Sequence, residues 1–224
     1  MMCSVFSIFD PVCTNPFFEG GFKWISILFA FFLLNWQFYS CLSGLGLIVS
    51  KIFSVLVSEI KLVFSAFYKS VILTLISLFY LILLLGLLGM TPFFFTPSSH
   101  LLFNLSLSFP LWAMGFIYMF LVSWKGFLSH YVPLGSPMVL VPFLILIEIV
   151  STLIRPFSLS IRLMSNMMAG HLIMSLFEKF LVGLVYSWFI FPLGPLLVGF
   201  EYGVAFIQSY VFMTLMSLYW KESI

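Results

Sequence analysis

Glu148-Ile149-Val150-Ser151-Thr152-Leu153-Ile154-Arg155-Pro156-Phe157-Ser158-Leu159-Ser160-Ile161-Arg162-Leu163-Met164-Ser165-Asn166-Met167-Met168-Ala169-Gly170-His171 is the stretch on which the reading of this chain turns. The 224-residue sequence around it is 63% hydrophobic and only 7% charged. Yet this one segment holds a carboxylate, both arginines of the protein, an amide and a histidine. An ionisable group at membrane depth costs about 2.5–3.5 kcal/mol even on the mildest scale, so such groups mark ion pathways by default. Their spacing is ordered as well. Glu148, Arg155 and Arg162 recur every seven residues, and Asn166 and Ala169 follow Arg162 by four and seven. On a helix these positions form one stripe. His171 is nine residues from Arg162, half a turn away, and so faces a different neighbour.

Composition sets the class. Soluble domains carry about 25% charged residues, so 7% identifies a polytopic membrane protein. The length suits five or six helices, and the fold class expected is all-α. A formal net charge of +2 makes no case for nucleic acid. Cys3, Cys13 and Cys41 have no metal-binding spacing and are odd in number, so neither a zinc site nor a disulfide framework is indicated. No cleavable signal is evident: Asp10, Pro11, Pro16 and Glu19 fall in the first twenty residues, with no basic leader.

Outward from the central stretch, the chain divides into one polytopic membrane domain. Residues 1–23 form a mixed lead-in. Residues 24–50 are uncharged and exceed the roughly 20 residues needed to span a bilayer. Residues 51–69 carry Lys51, Glu59, Lys61 and Lys69 and suit an amphipathic helix lying at the interface. Residues 70–90 and 101–124 are further spans, joined by a proline-containing loop, with Pro110 a kink point in the second. Asn104-Leu105-Ser106 matches a glycosylation sequon, but in an apolar span it is expected to be buried and unmodified. Residues 138–177 contain no strong stop except Pro156. Forty helical residues reach roughly 60 Å against a hydrocarbon core of about 30 Å, so this helix must tilt, bend or protrude. Glu178-Lys179 opens a connection broken by Pro192, Gly194 and Pro195, and residues 196–220 form the last span. With five spans, an N-terminus outside leaves Lys51, Lys61, Lys69, Lys125 and Lys221 inside against Lys23 and Lys179 outside, which the positive-inside rule favours. Glu148 then lies toward the inner side, and His171 and Glu201 toward the outer.

The segment RPFSLSIRLMSNMMAGH at 155–171 resembles the signature of subunit a of F-type ATP synthases. Four other segments extend the likeness: HYVPLGSPMVLVPFLILIEIVSTLIRP at 130–156, NLSLSFPLW at 104–112, EYGVAFIQSYVFMTLMSLY at 201–219 and, more weakly, FSIFDP at 6–11. Its ending is most similar to mitochondrial members. The resemblance implies a non-catalytic proton-channel subunit, without cofactor, metal or nucleotide chemistry of its own. It implies a multi-pass protein of the mitochondrial inner membrane, with the N-terminus in the intermembrane space and the C-terminus in the matrix. The long helix and the last helix would form a hairpin against a rotor ring. The partners implied are the carboxylate-bearing c-ring, other stator and peripheral-stalk subunits, the lipid bilayer and the transported proton.

By the same resemblance Arg162 is the indispensable arginine. A guanidinium stays protonated at any working pH and relays no proton, but it favours ionisation of a carboxylate brought beside it. The nearest acid on its own stripe, Glu148, is roughly 21 Å away along an ideal helix, so the partner acid is expected on another polypeptide. Arg155 shares the stripe, and sequence geometry alone does not rank it below Arg162; a helper role and a merely tolerated polar residue both stay open. Glu148 suits the mouth of the inner half-channel or, more plainly, a helix-end residue reaching the interface. Glu201 and Gln208 are seven apart on one face of the last helix. Some bacterial relatives carry a carboxylate where His171 stands and a histidine where Glu201 stands. That exchange implies that the two face each other in the outer half-channel. Asn166 and Gln208 are expected beside Arg162, or simply as interhelical hydrogen bonds. Two other classes were weighed. A self-contained ion-coupled transporter calls for discontinuous paired helices or an internal repeat, and neither is present. An intramembrane hydrolase calls for a nucleophile or metal motif, which is also missing.

Overall fold

The computed structural model describes Phe9, residues 24–28 and 30, 44–64, 69–91, 95–122, 140–183 and 193–223. Among these residues the protein is all-α: α1 Gly44–Val63, α2 Lys69–Gly89, α3 Leu101–Val122, α4 Val141–Gly183 and α5 Leu193–Ser223, with a 3-10 turn at Pro97–Ser99 before α3. Four of these, α2 to α5, are long and apolar enough to cross a membrane. Most of the span expected at 24–50 lies outside the described residues.

Helix α1 buries Leu56, Ile60 and Phe64 and exposes Lys51, Glu59 and Lys61. The buried positions recur every four residues and make one stripe, which lies on α2 and α5. The helix runs unbroken through residues 50 and 51, where the sequence reading divides a span from an interfacial helix. Nothing in Ser50-Lys51 stops it, and the Ser50 hydroxyl donates to the Leu47 carbonyl within the same turn.

The centre is the packing of α2 on α5. Leu75 and Phe79 of α2 and Phe212, Met213 and Met216 of α5 are almost wholly enclosed, and Leu159 and Leu163 of α4 join the same cluster. Helix α2 is apolar on every side, as a helix between protein and lipid must be. Near its end Gly86 permits the closest three-helix approach. A Cβ built there falls 2.8 Å from the Met167 methyl of α4 and 3.2 Å from the Ala205 Cβ of α5.

After α2 the chain folds back. Thr96, Pro97, Ser98 and Ser99 are buried, and the Asn104 amide donates to the Ser98 carbonyl at 2.7 Å. Asn104, the sequon residue, is 1% exposed. Helix α3 crosses α4 at two enclosed serines. The Ser108 and Ser160 hydroxyls are 2.8 Å apart, and both reach the Pro156 carbonyl. Most of the rest of α3 is an apolar exterior, with Leu102 and Leu121 the most open.

Helix α4 has 43 residues, roughly 65 Å of helix, about twice the hydrocarbon thickness. It starts at Val141, where Pro142 is tolerated in the first turn. It continues past residue 177, through the exposed Glu178 and Lys179, to Gly183. Charge alone does not end a helix. Pro156 lies inside it without stopping it. Helix α5 returns antiparallel to α4: Arg155 meets Tyr219, Asn166 meets Gln208, and Gly170 meets Glu201, so rising numbers on one helix face falling numbers on the other.

Candidate functional site

The residues singled out in the sequence lie along this α4–α5 seam and on the surface beside it. At one end Glu148 is half-buried near the start of α4, and its carboxylate makes no hydrogen bond or ion pair with the described residues. Two turns on, the Arg155 guanidinium lies 5.1 Å from the centroid of the Tyr219 ring on α5. A cation over an aromatic face at this range is an attractive contact. A further two turns on, Arg162 is half-buried, and its guanidinium makes no hydrogen bond, ion pair or ring contact with the described residues. The two arginines therefore differ in a way their spacing conceals: among the described residues, one is engaged by its own chain and the other is not.

Beyond Arg162 the seam becomes polar. The Asn166 side-chain amide donates to the Gln208 carbonyl oxygen at 2.9 Å, closing the two helices just past the arginine. Asn166 and Gln208, with Gly170 and Glu201, line a cavity of about 300 Å³ whose remaining wall is apolar and includes Met90 and Phe200. Glu201 is 7% exposed and reaches into this space because residue 170 is glycine: a Cβ there would sit 3.3 Å from the Glu201 carboxyl carbon. Among the described residues neither Glu201 carboxylate oxygen has a hydrogen-bond partner, and nor does the Gln208 amide nitrogen. Buried polar atoms without partners are rare in folded proteins, and each demands a reason. The cavity is mostly apolar, with its polar groups gathered at Asn166, Glu201 and Gln208, and it is only there that water would find hydrogen-bond partners.

His171, the next residue on α4, takes a different environment. Its ring meets the Phe9 ring edge-on at 6.3 Å between centroids, and its Nε2 is buried without a partner among the described residues. No hydrogen bond joins His171 to Glu201. The sequence reading placed the two face to face; the carboxylate instead packs on the neighbouring Gly170.

Two further buried atoms without partners among the described residues, the Ser98 hydroxyl and His100 Nε2, sit in the turn before α3. The His100 ring lies against Trp24 and Phe95, at 5.7 and 5.3 Å. In the sequence this segment reads as a proline-containing loop, and no spacing singles out Tyr219 or Gly170. The seven-residue stripe on α4 was a signal for partners on α5, but no spacing rule names which residues those are.

The ATP synthase A chain family profile matches residues 21–221. ATP synthase subunit a of Artemia franciscana is 38% identical over 224 residues, covering 99% of this chain and 100% of the relative. That of Anopheles gambiae is 37% identical, with 99% of each chain covered. That of Apis mellifera ligustica is 34% identical across 100% of this chain and 98% of its own length.

Proposed function

We propose that this chain, which belongs to the ATP synthase A chain family, is the proton-translocating stator subunit of the synthase's membrane sector. It works in the mitochondrial inner membrane as a multi-pass protein, with its N-terminus in the intermembrane space and its C-terminus in the matrix. Its partners are a ring of carboxylate-bearing c subunits and the remaining stator and peripheral-stalk subunits.

The observation that carries this reading is Arg162. Its guanidinium is half-buried on an apolar helix and has no partner among the described residues of its own chain. An unmatched cation at membrane depth is costly, and a carboxylate supplied by a passing rotor subunit offsets that cost. The rest of the seam suits the same task. Glu201, Gln208 and Asn166 border a cavity on the His171 side, and Glu148 stands two turns beyond Arg155 on the other.

In this scheme protons enter from the outer side past His171, Glu201 and Gln208 and neutralise a rotor carboxylate. The neutral group moves into lipid, travels round with the ring, and releases its proton on the inner side near Glu148. Arg162 lies between the two routes and holds the carboxylate ionised while it crosses. Each proton charge moving through 100 mV yields about 2.3 kcal/mol for rotation. The residues of this chain bind no nucleotide; they orient waters, hold a fixed charge and separate two aqueous paths.

Arg162→Lys tests the assignment. A lysine ammonium sheds its proton when desolvated and lacks the guanidinium's fork, so it is no permanent cation here. Membranes carrying the assembled variant complex are expected to lose proton-driven ATP synthesis. Synthesis at the wild-type rate removes Arg162 from this role.

A further inference from the structure

We infer that Arg155 and Tyr219 form a clamp that keeps the second guanidinium of α4 away from the rotor carboxylate, so that Arg162 acts as the single free cation on the stripe. The inference rests on the function proposed above. Seven residues separate Arg155 and Arg162, which is within 20° of two full turns, so both guanidiniums leave α4 in nearly the same direction. A carboxylate passing that face would meet two permanent cations about 10 Å apart along the helix. In a low-dielectric layer a second cation at that distance is felt. It would hold the carboxylate ionised for longer and delay release toward the Glu148 end.

The structure counters this with an aromatic face. Tyr219 covers Arg155 at 5.1 Å, where the ring's negative face attracts the cation and draws it onto α5. The ring is placed by its neighbour: Trp220 is buried, and its indole N–H donates to the Leu111 carbonyl of α3 at 3.0 Å. Tyr219 itself packs against the central apolar cluster. The clamp surface therefore belongs to a fixed part of the bundle, and Arg155 adapts to it. On the other side of Arg162 the Asn166–Gln208 hydrogen bond closes the same seam. Arg162 is left between two cross-helix contacts and takes part in neither.

The clamp makes Arg155 and Tyr219 positioning residues, and it predicts an order of effects that simple packing does not. Tyr219→Phe keeps the aromatic face and is expected to leave proton-driven ATP synthesis within about twofold of wild type. Tyr219→Leu removes the face and weakens the hold on the guanidinium, and is expected to slow synthesis roughly fivefold or more, a size in keeping with one lost cation–π contact. Arg155→Gln alone removes the competing charge and is expected to be mild.

The deciding variant is the double, Tyr219→Leu with Arg155→Gln. If the released guanidinium causes the fault, deleting it restores synthesis to within about twofold of Arg155→Gln alone. If Tyr219 matters only for packing, the double is no better than Tyr219→Leu, and the clamp is overturned. It is overturned equally if Tyr219→Leu works at the wild-type rate. Should Tyr219→Leu fail to assemble, the same comparison is made on the amount of complex: recovery in the double supports the clamp, and no recovery overturns it. Arg162→Lys measured in the same membranes keeps the two claims apart. Normal synthesis there defeats the role given to Arg162, while the clamp is judged on the order of the Tyr219 variants.

Discussion

Arg155 and Arg162 share residue type, helix and face, but α5 presents a tyrosine ring to the first, while the second makes no hydrogen bond, ion pair or ring contact with the described residues. This difference ranks them, and it depends on a residue 64 positions further along the chain, beyond the reach of any spacing argument. Glu201 and His171 show the same limit from the other side. Both were legible as buried titratable groups in an apolar chain. Their face-to-face pairing was not, because a one-residue change of register on α4 puts Gly170 against the carboxylate and turns His171 toward Phe9. No shared hydrogen bond couples them, so any coupling is expected to run through water. Replacing either with an apolar residue is expected to slow proton entry from the outer side. A double replacement is expected to be no worse than the worse single one, since a chain of waters is interrupted equally by one break or two. Strictly additive losses, measured as proton flux into vesicles, count against one shared path.

Among the elements, α4 and α5 carry the site, and α2 holds them together. The apolar runs at 70–90 and 101–124 located α2 and α3 to within about two residues, because uncharged stretches of that length have few other uses. The end of α4 was less legible. Glu178-Lys179 reads as a stop in a hydropathy pattern, yet the helix continues to Gly183 with those side chains exposed. Pro156 is passed as well. The carbonyl that a helical proline leaves open is the one four residues earlier, that of Thr152, and an adjacent helix or water tolerates this within a membrane bundle; the Ser108 and Ser160 hydroxyls instead join α3 to α4 at the Pro156 carbonyl itself. The three-helix contact at Gly86 left no mark in the sequence beyond the glycine itself. Gly86→Val is expected to destabilise the bundle by about 1–3 kcal/mol, as overpacking does, because the Ala205 backbone of α5 has less freedom than the Met167 methyl. The check is the thermal midpoint and yield of the assembled complex. An unchanged midpoint would mean that α2 rests loosely on the other two helices.

At the scale of the whole molecule, the account depends on two aqueous paths that do not join. The Glu201 cavity opens on one side of Arg162 along α4, and Glu148 lies on the other. A continuous water path past Arg162 would collapse the gradient without turning the rotor. In the proposed scheme a fixed cation at Arg162 would repel hydronium and keep the rotor carboxylate charged until it reached the next path. Arg162→Ala removes that barrier together with the coupling. The measurement is proton flux into vesicles containing the assembled Arg162→Ala complex, under an imposed potential and without nucleotide. Loss of ATP synthesis accompanied by a passive proton leak above wild type is the result expected. A leak no larger than wild type would contradict the barrier at Arg162 and leave that residue only as a partner for the rotor carboxylate.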